Sequence, residues 1–238
     1  MTDHDSTAGL EALLPLEKSH PEMRLIPGLE MSAEGELYCH LLAYFVDIHS
    51  PGFQEKLAEF RRLRLARIEV MTKKINALGI PVEYSRVVAL AAGGSVGRPH
   101  LADALVERGH VKTRKEAFER YLKRGGPAYV AGDGPTASEC IAFIRSAKGI
   151  PVLAHPSYYT TPELLKPLIE SGLMGQEVYY PEHSKSLVRR YLEMALAHHL
   201  VATGGSDFHG PKTQRSALAC VDVPESVVEE LEKARARV

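Results

Sequence analysis

Five short stretches of this chain carry side chains of the kinds that bind metal ions. The first is Asp3-His4-Asp5, two residues from Met1, with no apolar strand ahead of it to hold a charged triplet. Further on, PGLE ends in Glu30, and His40 lies inside LYCHLLAYF. The run PVLAH ends in His155, and TGGSDFHG presents Asp207 and His209. Carboxylate mixed with imidazole suits hard or borderline divalent cations. A carboxylate shared between two such ions is the core of a multinuclear hydrolase, which grips a phosphate and activates water. Alone, each residue has an ordinary reading. His155 is a loop histidine, Glu30 a solvated or capping carboxylate, His40 a satisfied core histidine and Ser206-Asp207 a helix N-cap. Together they are harder to explain, because buried carboxylates are costly unless paired or metal-bound.

These residues need elements to position them. Residues 10–20 read as an amphipathic helix containing Pro15. Residues 24–33 predict a short apolar strand ending near Glu30. Residues 36–47 predict a second strand with His40 inside it, buried on both faces. A helix spans Phe53 to Leu78 and stops at Gly79. Residues 81–130 hold short helical stretches broken by glycines, so 51–130 is expected to be a helical insertion between 1–50 and 131–238. After Thr136 helices alternate with the strands IPVLAH, LMGQEVYY and LVATGGSD, which implies parallel βαβ units. A last helix follows in VPESVVEELEKARARV. Functional groups in parallel α/β folds collect at the C-terminal ends of strands. Glu30, His155, Asp207 and His209 are therefore expected on one rim, with His40 near them.

The 238 residues are 45% hydrophobic and 25% charged, with a net charge of −1. That balance supports a sizeable core and gives no strong pull toward nucleic acid or anionic membrane. Aromatic residues are only 7%, so no stacking platform for long single strands is expected. No apolar run is long enough to span a bilayer. Cys39, Cys140 and Cys220 are odd in number and far apart, which reads as reduced thiols in a cytoplasmic protein.

In this order, TDHD, PGLE, the in-strand His40, VLAHP and TGGSDFHG resemble the PHP (polymerase and histidinol phosphatase) superfamily of metal-dependent phosphoesterases. In the middle, GRPHLADALVERG and KEAFERYLKRGGPAYV resemble one subgroup, which holds 3′,5′-nucleoside bisphosphate phosphatases and 5′-to-3′ exoribonucleases. The resemblance implies an α/β fold, a distorted (β/α)7 TIM-like barrel with a helical insertion, and a site for up to three divalent ions. By that likeness Glu30 bridges two ions and Asp207 binds the first. His40 and His155 bind the second, and His4 and His209 the third. The family's ions are Mn, Zn or Fe, with Mn expected here. Family members begin with a strand ending in a motif like Asp-x-His-x-His-Thr, which this sequence lacks. The expectation is a barrel without its first strand and with exposed sheet edges. Its first and third metal sites would be incomplete, and its second, at Glu30, His40 and His155, intact.

Several residues are candidates for the reaction itself. Glu30 and Asp207 would act through the metals, and Asp5 would orient a ligand or a proton-transfer water. Arg98 and His100, in GRPH after the flexible GGSVG, suit a phosphate at a helix start. His183, in YYPEHS, is expected to line the mouth. AAGGSVG lacks the Gly-Lys-Ser/Thr ending of a phosphate-binding P-loop. The expected function is release of phosphate from small nucleotides such as 3′,5′-nucleoside bisphosphates. The alternatives are a 5′-to-3′ exoribonuclease on short RNA and a catalytically inactive remnant that only binds metal or nucleotide.

Overall fold

The computed structural model describes residues 1–35, 37–158, 162–210 and 215–238. Helix α1 (Ala8–Ser19) precedes strands β1 (Gly28–Ala33) and β2 (Cys39–Tyr44). Then come α2 (Pro51–Ala77), α3 (Tyr84–Leu90), α4 (Arg98–Glu107) and α5 (Arg114–Ala117), the last running into a π turn at Phe118–Leu122. The rest alternates: α6 (Ala137–Ser146), β3 (Ile150–Leu153), α7 (Pro162–Glu170), β4 (Gly175–Tyr179), α8 (Lys185–Ala197), β5 (Val201–Gly204) and α9 (Ser226–Arg235). Glu36 and Thr161, which the sequence reading put at the start of a strand and a helix, lie outside the described residues.

Among the described residues the strands form one mixed sheet in the order β1-β2-β3-β4-β5. β3, β4 and β5 are parallel, as the alternating pattern implies. β1 and β2 are antiparallel to each other, and β2 is antiparallel to β3. The parallel rhythm expected after Thr136 thus does not extend to β1 and β2. The five residues between β1 and β2 are too few for the crossover that a parallel pair needs. A correction concerns Glu30, which sits in the middle of β1, not at its end. The outer edge of β1 is met at Glu30 by the first residues of the chain. Asp5 N–H donates to Glu30 O (2.8 Å) and Glu30 N–H donates to Asp3 O (3.0 Å), forming a parallel bridge at His4.

Alternation along each strand sorts the side chains onto two faces. Leu29, Met31 and Ala33 of β1, with Cys39, Leu41 and Ala43 of β2, enter the main core. That core also takes Cys140, Ile141 and Ile144 of α6 and Phe53, Leu57 and Phe60 of α2. The opposite face of the same strands carries Glu30, Ser32 and His40, and farther along it Leu42, which packs with Val152 and Val201 against Val227 and Leu231 of α9. A second core lies apart from the first. It joins Ile68, Met71 and Ile75 from the distal half of α2 to Leu101, Leu105 and Leu122. Burying each such leucine or isoleucine contributes about 2 kcal/mol. Helix α2 serves both cores, starting with Pro51 in its first turn and ending before Gly79 at φ +78°.

Candidate metal centre

Glu30 is the hub. His40 Nδ1 lies 2.7 Å and His155 Nε2 lies 3.0 Å from Glu30 Oε1. His4 Nε2 approaches Oε2 at 3.8 Å. One ligand atom each from His4, Glu30 and His40 falls within a span of 4.8 Å, a donor set that fits a divalent cation. His4 Nδ1 is buried without a hydrogen-bond partner. The antiparallel pairing explains how His40 arrives here. It stands at the start of β2, and β2 runs against β3, so that start lies beside the end of β3. Ala154 N–H, just past β3, donates to His40 O (3.0 Å), and His155 follows. His209 completes the histidine cluster, its ring centroid 5.9 Å from that of His4.

The electrostatics follow from crowding. Burial opposes the charge on Glu30, but His4, His155 and His40 outweigh it and hold the carboxyl well below its usual range. Burial, with the neighbouring cations, pushes His4 down to about 3. His40 moves the other way. Burial works against its charge, but the Tyr38 hydroxyl and the Glu30 carboxylate push it up to about 9. Tyr38 contacts His40 Nε2 through its hydroxyl at 2.9 Å. Asp5 (φ 45°), His155 (φ 28°) and Asp207 (φ 47°) all hold left-handed backbone, which costs free energy in non-glycine residues and gathers at functional sites.

Not every candidate stands where the sequence reading put it. Asp5 is buried with its carboxylate engaged: Oδ1 accepts from Ser32 N–H (3.2 Å) and Oδ2 is paired with Arg64. Asp207 faces His209 Nδ1 at 3.2 Å, accepts from the Tyr180 hydroxyl (2.9 Å) and is paired with Arg215. Arg98 and His100 line a cavity of about 290 Å³ together with His4, His40 and His209. The Arg98 guanidinium lies over the rings of Tyr38 (5.0 Å) and Phe118 (5.7 Å). His100 Nδ1 accepts from Gly97 N–H (3.0 Å). His183 is not among the residues lining that cavity. Its ring nitrogens meet Val178 O (2.8 Å) and Ser157 Oγ (3.1 Å), so it pins the end of β4 to the turn after His155.

Sequence reasoning passed over several neighbours of the centre. Tyr38 stands just ahead of β2, two residues before His40, the spacing that puts two side chains on one side of extended chain. Arg61, Arg64 and Arg67 recur every third residue on α2, a spacing that lines one helix face. Glu177 stands inside an apolar strand; it is buried, and it accepts from His155 N–H (2.8 Å). Arg215 had no legible signal, since nothing in the sequence ties it to Asp207.

No family model matches the chain. Individual relatives do. The chain is 34% identical over 218 residues to the 5′-3′ exoribonuclease Rnm of Salmonella typhimurium, covering 89% of this chain and 74% of that protein. It is 30% identical over 221 residues to the 3′,5′-nucleoside bisphosphate phosphatase of Chromobacterium violaceum, covering 89% and 76%. A crystal structure from Bifidobacterium adolescentis, described as a candidate metal-dependent phosphoesterase, superposes with a TM-score of 0.85 at 29% identity. That match covers 98% of this chain and 84% of the other. With the ordered motifs gathered around Glu30, these likenesses establish that the chain belongs to the PHP superfamily of metal-dependent phosphoesterases.

Proposed function

We propose that this protein releases phosphate from small phosphorylated nucleotides, with 3′,5′-nucleoside bisphosphates first among them. The observation that carries this reading is the cavity, which has His4, His40 and His209 among its lining residues and also Arg98 and His100. These side chains would hold a divalent ion, which when bound would supply neutralisation of phosphate charge and a more acidic water. The candidate ligands are Glu30, His40 and His155 in one group, with His4, His209 and Asp207 around it. Manganese is the first choice of ion, zinc and iron the others, with up to three bound. Glu30, ionised and fixed by three imidazoles, keeps the cluster's geometry. Asp5 acts through Arg64 and Ser32 and does not touch the reacting atoms. Arg98, backed by aromatic faces, binds a phosphate oxygen, and His100 holds the turn that presents Arg98. His183 sets the turn that carries His155.

The sheet, with its bridge at His4, is read as part of a distorted (β/α)7 barrel, and residues 51–130 as a helical insertion that closes over the site. Among the described residues no helix is long and apolar enough to cross a membrane. Free Cys39, Cys140 and Cys220 fit a reducing, cytoplasmic setting.

A second reading, attack on the 5′ end of short RNA, is favoured by the likeness to the Salmonella exoribonuclease. Both readings are tested by following phosphate or nucleotide release from adenosine 3′,5′-bisphosphate and from a 5′-phosphorylated oligoribonucleotide. Release is expected to stop on chelation and return with Mn²⁺. Turnover that persists in the chelator overturns both. No turnover with metal bound supports the inactive remnant. Arg98→Ala is expected to raise KM about tenfold or more, and unchanged kinetics remove Arg98 from the site.

A further inference from the structure

We propose that Tyr38 is a positioning residue with two separate tasks: its hydroxyl orients the candidate ligand His40, and its ring holds Arg98 in the cavity. The second task rests on the reading of Arg98 as a phosphate-binding group; the first does not.

Tyr38 stands where the two halves of the site meet. It lines the cavity together with His40, Arg98 and His100. Its hydroxyl lies 2.9 Å from His40 Nε2, and the two ring centroids are 5.4 Å apart. His40 turns its other nitrogen to the hub, with Nδ1 2.7 Å from Glu30 Oε1. On the far side, the Arg98 guanidinium lies 5.0 Å from the centre of the Tyr38 ring. A line of contacts thus runs from Glu30 in β1 through His40 and Tyr38 to Arg98, the first residue of α4.

The hydroxyl meets a requirement of ligand histidines. An imidazole that gives one nitrogen to a metal carries its proton on the other, and the group accepting from that N–H fixes the tautomer and the ring orientation. Here Nδ1 faces the carboxylate hub, which leaves Nε2–H to donate and the Tyr38 oxygen to accept.

The ring does a different job. Arg64, Arg67 and Arg114, which line the same cavity, are paired with Asp5, Glu34 and Asp103. Arg98 has no carboxylate partner among the described residues, and three aromatic rings stand around its guanidinium instead. Phe118 (5.7 Å) and Tyr129 (5.9 Å) belong to the helical segment; Tyr38 is nearer and comes from the sheet side. An aromatic face holds a guanidinium while leaving its N–H groups to an oxyanion, whereas a carboxylate would occupy them.

Tyr38→Phe and Tyr38→Leu separate the two tasks. Phenylalanine keeps the ring and loses the hydroxyl; leucine loses both. Tyr38 belongs to neither buried core beside it, so neither change empties packed volume. Two quantities are read on the full chain. Affinity for Mn²⁺ is measured by competition with a chelating dye, with no substrate present. Affinity for adenosine 5′-monophosphate is measured by titration with chelator present. Tyr38→Phe is expected to bind Mn²⁺ about tenfold more weakly and the nucleotide as wild type does. Tyr38→Leu is expected to match it on Mn²⁺ and to bind the nucleotide about three- to tenfold more weakly besides. A tyrosine that only supports the fold would lower urea stability without this split. Unchanged Mn²⁺ affinity in Tyr38→Phe overturns the first task. Equal nucleotide affinity in Tyr38→Phe and Tyr38→Leu overturns the second. Arg98→Ala is the control for the reading beneath it. Unchanged nucleotide affinity there removes the phosphate reading of Arg98 and the second task with it, while the first still stands or falls on the Mn²⁺ result.

Discussion

Around Glu30 the balance between charge and burial is tipped one residue at a time. Glu30 stays ionised because three histidines face it. Glu177, nearby on the same face of the sheet, lacks such company. Burial pushes its carboxyl up to about 8; the His155 N–H bond pulls the other way, and Glu30 and Asp207 add to the rise. A raised folded-state value means that the folded chain holds a proton which the unfolded chain has released. Stability is thus expected to fall as pH rises between about 4.5 and about 8, by up to about 1.4 kcal/mol per pH unit from this group. Glu177→Gln keeps an acceptor for His155 N–H and removes the titration. In chelator-treated protein its stability advantage over wild type, measured by urea unfolding, is expected to grow from pH 5 to pH 8. An advantage that does not change with pH would remove Glu177 as the cause. At the hub itself, Glu30→Gln is expected to lower metal content and to cut activity more than about a hundredfold, as read by elemental analysis and phosphate release.

Helix α6 shows what an element contributes. Its N-terminus is closed by a capping box: Glu139 N–H donates to Thr136 Oγ1 (3.3 Å), and Thr136 N–H donates to Glu139 Oε2 (2.8 Å). Behind that cap, Cys140, Ile141 and Ile144 pack in the core that β1 and β2 line with the face opposite Glu30 and His40. Thr136→Ala is expected to cost about 1 kcal/mol in denaturant unfolding while leaving KM unchanged, because the cap supports the helix and not the cavity. A shifted KM with unchanged stability would contradict that division. The direction of β2 matters as much as the packing beneath it. Run parallel to β3, it would carry His40 to the opposite end of the sheet from His155.

At the scale of the molecule, α2 spans two cores. Its first half is fixed in the main core with β1 and β2, and its second half in the helical core with α4. The cavity draws residues from both, His4 and His40 from one side and Arg98 and His100 from the other. Substrate affinity should therefore depend on the helical unit, and metal binding should not. Leu105 is fully buried in the second core, on the same helix as Arg98. Leu105→Ala is expected to cost about 2–5 kcal/mol and to raise KM without lowering metal content, compared by unfolding, kinetics and elemental analysis. Metal lost in parallel with affinity would mean that the two units are not separable.

The sequence by itself determined the candidate ligand types, their order along the chain, and the three parallel strands behind His155 and Asp207, because residue chemistry and local periodicity are written along the chain. It also marked Arg98 and His100 beside a flexible glycine segment. Only the tertiary structure decided which way β2 runs, that Glu30 sits mid-strand, and that the segment around His4 lies along the edge of β1. It decided too that Asp5 is taken up by Arg64, Asp207 by Arg215, and His183 by Val178 and Ser157. These are pairings between residues far apart in the sequence. A carboxylate reads the same in sequence whether a metal, a guanidinium or water will meet it. Folding chooses among them by bringing one partner close and shutting out the rest.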